Sequence, residues 1–96
     1  MGPARHANRD RRVSIAASEG HIDVVEKLIA AGCDVDKART GDGCTPLYIA
    51  AHNGHINIVK KLLENGADKS IRGFKNRTPM EQARLKGHDA VVALLA

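Results

Sequence analysis

Ninety-six residues make one small domain and leave no room for two independent cores. Apolar residues at 43% and charged residues at 27% exclude a disordered chain, while only 2% aromatics leaves burial to Ala, Val, Ile and Leu in thin, closely stacked layers. The net charge of +4 is concentrated in two segments, which weakens any case for nucleic-acid binding built on overall basicity.

Residues 1–12 carry Arg5, Arg9, Arg11 and Arg12 against Asp10 alone and read as a basic, flexible N-terminal tail. Such a tail can touch an acidic protein, a nucleic acid or nothing. Residues 13–68 are net acidic, and Lys69, Arg72, Lys75 and Arg77 then follow with no acid among them. Cys33 and Cys44 are too few for a disulfide scaffold, and no secretory signal precedes them. No apolar run reaches the roughly 18 residues that cross a bilayer. The expected setting is a reducing one, cytoplasmic or nuclear, with no membrane contact.

From residue 13 onward the chain repeats itself. Gly20-His21 recurs as Gly54-His55 and Gly87-His88, at spacings of 34 and 33 residues. The stretch from Gly20 to Asp34 aligns without a gap on Gly54 to Asp68, and Thr45-Pro46-Leu47 recurs as Thr78-Pro79-Met80. Three landmarks with one period divide the chain into units of about 11–44, 45–77 and 78–96. Each unit reads as helix, turn, helix, loop. Thr45 before Pro46 is an N-cap followed by a proline whose missing N–H costs nothing. Thr78 with Glu81 three residues on is a capping box. The first helix of the middle unit, near Leu47 to His52, is rich in small residues, and Gly54 supplies the turn. In the second helix Ile56, Val59, Leu62 and Leu63 form one stripe against Asn57, Lys60, Lys61 and Glu64, with Gly66 as the stop. Two such helices cannot bury their apolar faces alone and must stack on a neighbouring copy.

The stretch from Thr45 to Asp68, TPLYIAAHNGHINIVKKLLENGAD, resembles the ankyrin repeat nearly throughout, and the resemblance covers residues 13–96. It implies an all-α solenoid of about three helix-turn-helix units with β-hairpin-like finger loops, in which fingers and inner helices line a concave surface. The departures are specific. Arg11-Arg12-Val13 stands where Thr-Pro-Leu belongs, so the first helix lacks its usual cap. Residues 33–44 hold one residue more than the matching loop, which gives a longer first finger around Lys37 to Gly43. Tyr48 and Glu81 replace the His that follows Thr-Pro-Leu, so the loop bonds attributed to that His do not carry over. Asn76 stands where the finger has Gly, as the next-best residue for the left-handed region. Asp89 takes the position of Ile22 and Ile56, which suits a terminal, capping unit.

Catalytic and metal chemistry find little support. His21, His55 and His88 repeat in phase and lie one layer apart, about 8–10 Å, whereas zinc needs nitrogens about 2.1 Å from one point. A turn-stabilising His in each unit is the better reading. Cys33 and Cys44 lack metal spacing and read as inert, buried or half-buried thiols. No nucleophile elbow, phosphate loop or carboxylate pair is present, and Ser14 and Ser18 near His21 lack an orienting acid. The expectation is a protein that is not an enzyme and takes no cofactor or metal.

Function is therefore expected from surface loops. In the family the variable finger and inner-helix positions make the contacts, and by resemblance these fall on Asp42, Cys44, His52 and Asn53 in the middle unit, with Tyr48 on the same inner helix. In the last unit they fall on Phe74, Lys75, Arg77, Leu85 and Lys86, with Arg72 in the same finger. Phe74, a lone ring at a loop tip between cations, has the composition of a binding hot spot; the alternative is that it folds back over Ile71. The expected role is a protein–protein interaction module whose partner presents an acidic patch and an apolar contact. Two rivals stay open. One is nucleic-acid or polyanion binding through tail and second finger, which predicts steep salt dependence. The other is a structural role, as part of a longer or engineered array or as a unit that self-associates through the uncovered face of its first repeat.

Overall fold

The structure, a computed structural model, describes residues 2–38 and 42–96, with side chains from Arg11 onward. Among these residues it holds no strand, a single 3-10 turn at Phe74–Asn76 and six α-helices. They are α1 (Gly2–Glu19), α2 (Ile22–Ala30), α3 (Pro46–Asn53), α4 (Ile56–Glu64), α5 (Pro79–Leu85) and α6 (Asp89–Leu95). Consecutive helices pair as α1/α2, α3/α4 and α5/α6, the inner helices α1, α3 and α5 lie side by side, and the outer helices α2, α4 and α6 follow in the same order. This is the three-layer stack that the periodicity requires.

Helix starts follow the local chemistry. Thr45 Oγ1 accepts from Tyr48 N at 3.3 Å, with Pro46 in the first turn. Thr78 Oγ1 accepts from Glu81 N at 3.2 Å while Glu81 Oε1 accepts from Thr78 N at 2.8 Å, completing the capping box. Unit one has no Thr-Pro, and nothing in Arg11-Arg12 halts the helix. Accordingly α1 runs back to Gly2. The side chains of Arg5 and Arg9 lie outside the described residues, as do residues 39–41 of the expected longer first finger.

The core is made of small and branched residues. Ala16, Ala17, Ala50, Ala51 and Ala83 let the inner helices approach, while Val25, Ile58, Val59, Leu62, Val91 and Leu95 fill the space between inner and outer rows. Leu47 and Leu62 are fully buried, and either one contributes about 2–3 kcal/mol by area removed from water. Each layer is thin because its inner face is mostly methyl groups.

The Gly-His turn also joins neighbouring layers. His55 Nε2 lies 3.1 Å from the Ser18 carbonyl, and His88 Nε2 lies 3.0 Å from the His52 carbonyl. A carbonyl only accepts, so both rings carry their hydrogen on Nε2. The imidazoles sit directly over the preceding turn: a Cβ on Gly20 would come within 2.9 Å of His55, and one on Gly54 within 2.8 Å of His88. These two glycines also adopt φ of +80° and +73°, so both backbone conformation and close approach call for glycine. Farther out, Asp68 N donates to Asp36 Oδ1 at 2.8 Å, linking the loops of units one and two. Asp68 Oδ1 in turn accepts from the Ser70 hydroxyl at 2.6 Å, a bond that holds the Asp68 carboxyl below its ordinary range.

Candidate partner-binding surface

The second finger is a tight hairpin tip. Gly73 N donates to Arg77 O at 2.9 Å, and Lys75 and Asn76 between them have φ of +57° and +59°. Two successive positive φ values are what a two-residue hairpin turn needs to match strand twist, a role usually filled by Asn-Gly. Asn76 suits it. Lys75 does not, and the left-handed conformation costs such a residue about 1–2 kcal/mol. The tip therefore holds a lysine at a position where glycine would be more stable.

Tyr48 anchors this tip from α3. Its hydroxyl donates to the Phe74 carbonyl at 3.2 Å, and its ring lies against Gly73, where a Cβ would come within 3.0 Å. Burial pushes the phenol above its ordinary value, with the neighbouring Cys44 adding to the effect, so the group remains a donor. The loop bond that the family's His does not provide here is thus supplied by Tyr48. Its side chain is buried, with the hydroxyl and ring set against the finger tip. Cys44 is likewise buried, against Asp42, whose Oδ1 accepts from Cys44 N at 3.1 Å.

The finger's cations differ in what they do. Arg72 NH1 donates to Asn76 O at 2.9 Å and meets Glu81 Oε1 at 3.2 Å, so it closes the finger onto the start of α5. Arg77 NH1 donates to Gln82 Oε1 at 3.3 Å. Because arginine only donates, the Gln82 oxygen must face it and the amide nitrogen must face away. That nitrogen meets His52 Nδ1 at 2.8 Å, which makes Nδ1 the acceptor of this bond. Arg77, Gln82 and His52 form one chain of bonds from the finger across α5 to α3. Gln82 was not among the expected residues; its signal was a buried amide in the register of Ile49. Lys75, by contrast, stands over the Phe74 ring at 5.5 Å from its centroid, a contact worth about 0.5–1 kcal/mol at an exposed site.

Phe74 is 50% exposed and Leu85 62%, the two most exposed large apolar side chains among the described residues. Leu85 and Lys86 lie at the far end of α5, about 9 Å along its axis from Pro79, and Asn53 takes the matching place in α3, its amide donating to Ile49 O at 3.1 Å. The ten expected contact residues therefore separate. Arg72, Phe74, Lys75 and Arg77 gather at the finger, with Tyr48 and Asp42 behind it, and His52 is reached through Gln82. Asn53, Leu85 and Lys86 sit at the other end of the inner helices.

A family profile of ankyrin repeats, in three copies, matches residues 13–96. The chain belongs to the ankyrin-repeat family, whose members are generally non-enzymatic protein–protein interaction modules. Comparison with curated proteins gives no match. No described helix is long and apolar enough to cross a membrane.

Proposed function

We propose that the chain is a binding module, not a catalyst, that grips an acidic protein segment along α5 through two apolar–cation pairs, Phe74-Lys75 and Leu85-Lys86. The carrying observation is that these two side chains are the most exposed large apolar groups among the described residues and that each stands next to a lysine in the chain. An aromatic or aliphatic anchor beside a cation is the usual make-up of an interface hot spot. Arg72 and Arg77 support this surface by shaping the finger, and Lys75 and Lys86 carry the charge that attracts the partner.

The test is capture of partner proteins on immobilised chain, comparing the unmodified protein with Phe74→Ala, Leu85→Ala and a Lys75→Glu/Lys86→Glu double variant. The expected result is loss of the same captured species in all three at unchanged helicity, with about tenfold or greater weakening for a hot-spot truncation. Capture unaffected by every variant contradicts the assignment. Retention of RNA or DNA that falls steeply with salt would favour the polyanion reading instead.

A further inference from the structure

Ile15, Ile49 and Gln82 share one position in the repeat register, so α5 has an amide where α1 and α3 have an aliphatic side chain. Gln82 is only 5% exposed, about as deep as Ile49 at 4%. A buried amide is costly unless both of its ends are bonded, and here both are. Arg77 NH1 donates to Oε1 at 3.3 Å from the finger, and Nε2 lies 2.8 Å from His52 Nδ1 on α3. Among the described residues no buried side-chain nitrogen or oxygen lacks a partner.

An amide keeps nearly the same shape when its oxygen and nitrogen change places, and its terminal torsion is roughly two-fold. Gln82 therefore has two placements that fill one volume and differ in polarity. Arg77 selects between them, because a guanidinium only donates and the oxygen must face it. The amide N–H then points to His52, Nδ1 accepts, and the ring hydrogen stands on Nε2. In the other placement an NH2 group would meet the guanidinium, donor against donor, and Oε1 would call for a hydrogen on His52 Nδ1. Arg77 is half-buried where Gln82 is buried, so it is the member of the chain that can exchange its partner for one from outside.

We propose that Gln82 is a two-position coupler: a carboxylate that takes Arg77 at the finger lets the amide turn over, and His52 changes from acceptor to donor at Nδ1. The ring hydrogen passes from Nε2 to Nδ1 by exchange with water, so the ring gains no charge. The backbone at this point stays held, since the His52 carbonyl accepts from His88 Nε2 at 3.0 Å. Two sites that bias one two-state element act on each other equally. Whatever fixes the His52 ring therefore also sets how firmly Arg77 is kept on Gln82. The carboxylate arm rests on the acidic-partner reading of the finger, whereas the link between Arg77 and His52 does not.

The test reads the His52 tautomer by nitrogen-15 NMR at one fixed pH, with the ring assigned from its absence in His52→Gln. The unmodified chain should carry the hydrogen on Nε2. Arg77→Met removes the selecting donor and should shift the tautomer ratio about fivefold or more towards Nδ1–H, the effect of one hydrogen bond. Gln82→Glu should act in the same direction with Arg77 in place, because an ionised carboxylate only accepts. In a Gln82→Met chain, adding Arg77→Met should leave His52 unmoved. A fluorophore-labelled polyglutamate peptide, its binding followed by anisotropy, should move His52 as Arg77→Met does in the unmodified chain and not in Gln82→Met. Circular dichroism checks helicity, and Arg77→Met, a change at the surface, carries the test alone should Gln82→Glu lose it. A tautomer that ignores Arg77→Met overturns the coupler, as does a response that persists in Gln82→Met. A peptide that binds without moving His52 overturns it too. A peptide that fails to bind counts against the acidic-partner reading, and the variants then decide the coupler.

Discussion

The first and last layers carry the same Gly-His turn and use it in opposite ways. Gly20 receives a ring but His21 covers nothing, while His88 covers Gly54 but Gly87 receives nothing. The middle layer does both. A residue set by the repeat therefore has no fixed energetic value; its contribution depends on whether the neighbouring layer exists. This asymmetry makes the three copies an internal control, because one substitution at three equivalent positions should cost more at the two copies that make the interlayer contact than at the one that does not.

The largest contrast is expected at the glycines. Gly54→Ala should lose about 2–3 kcal/mol, combining the left-handed strain with displacement of the His88 ring and its hydrogen bond. Gly87→Ala meets no neighbouring atom and should lose only the strain, about 1–2 kcal/mol. Urea denaturation of the two variants measures the gap, and equal losses would mean that the ring contact contributes nothing. The histidines should show a smaller contrast. His55→Ala and His88→Ala each remove one interlayer hydrogen bond, about 1 kcal/mol or somewhat more. His21→Ala removes only an exposed approach to Glu19 and should stay within about 0.5 kcal/mol.

The smallest effect is a pH dependence confined to the last layer. Glu81 is held below its ordinary 4.5, first by the Thr78 backbone N–H and then by the Thr78 hydroxyl and Arg72. A depressed carboxyl stabilises the fold above its ordinary value and loses that contribution as the pH falls through the folded one. Stability of the unmodified chain should thus fall more steeply below pH 4.5 than that of Glu81→Gln, since both share the Asp68 titration in the same direction. Parallel curves from acid denaturation would show that the capping box is insensitive to the charge.

Much of this arrangement was legible in the sequence. The 33–34-residue period, the Thr-Pro starts and the Gly-His turns define three layers because each is a local rule with one geometric outcome. Whether Phe74 stands out from its loop tip or folds over Ile71 was left open by the sequence. What local rules do not specify is which side chain reaches across to another unit. Tyr48 looked like a contact residue by position, yet its length carries the hydroxyl to the Phe74 carbonyl and its ring under the finger. Arg72 and Arg77 looked like free cations, but their partners, Glu81 and Gln82, come from the following unit.

The central claim is that the Gly-His turn works between layers. Nitrogen-15 NMR of the three repeat imidazoles tests it most directly. His55 and His88 should each show the tautomer with hydrogen on Nε2, protected from solvent exchange by the Ser18 and His52 carbonyls. His21 should show a rapidly exchanging ring hydrogen. Three imidazoles with the same tautomer mixture and the same exchange rate would contradict the account.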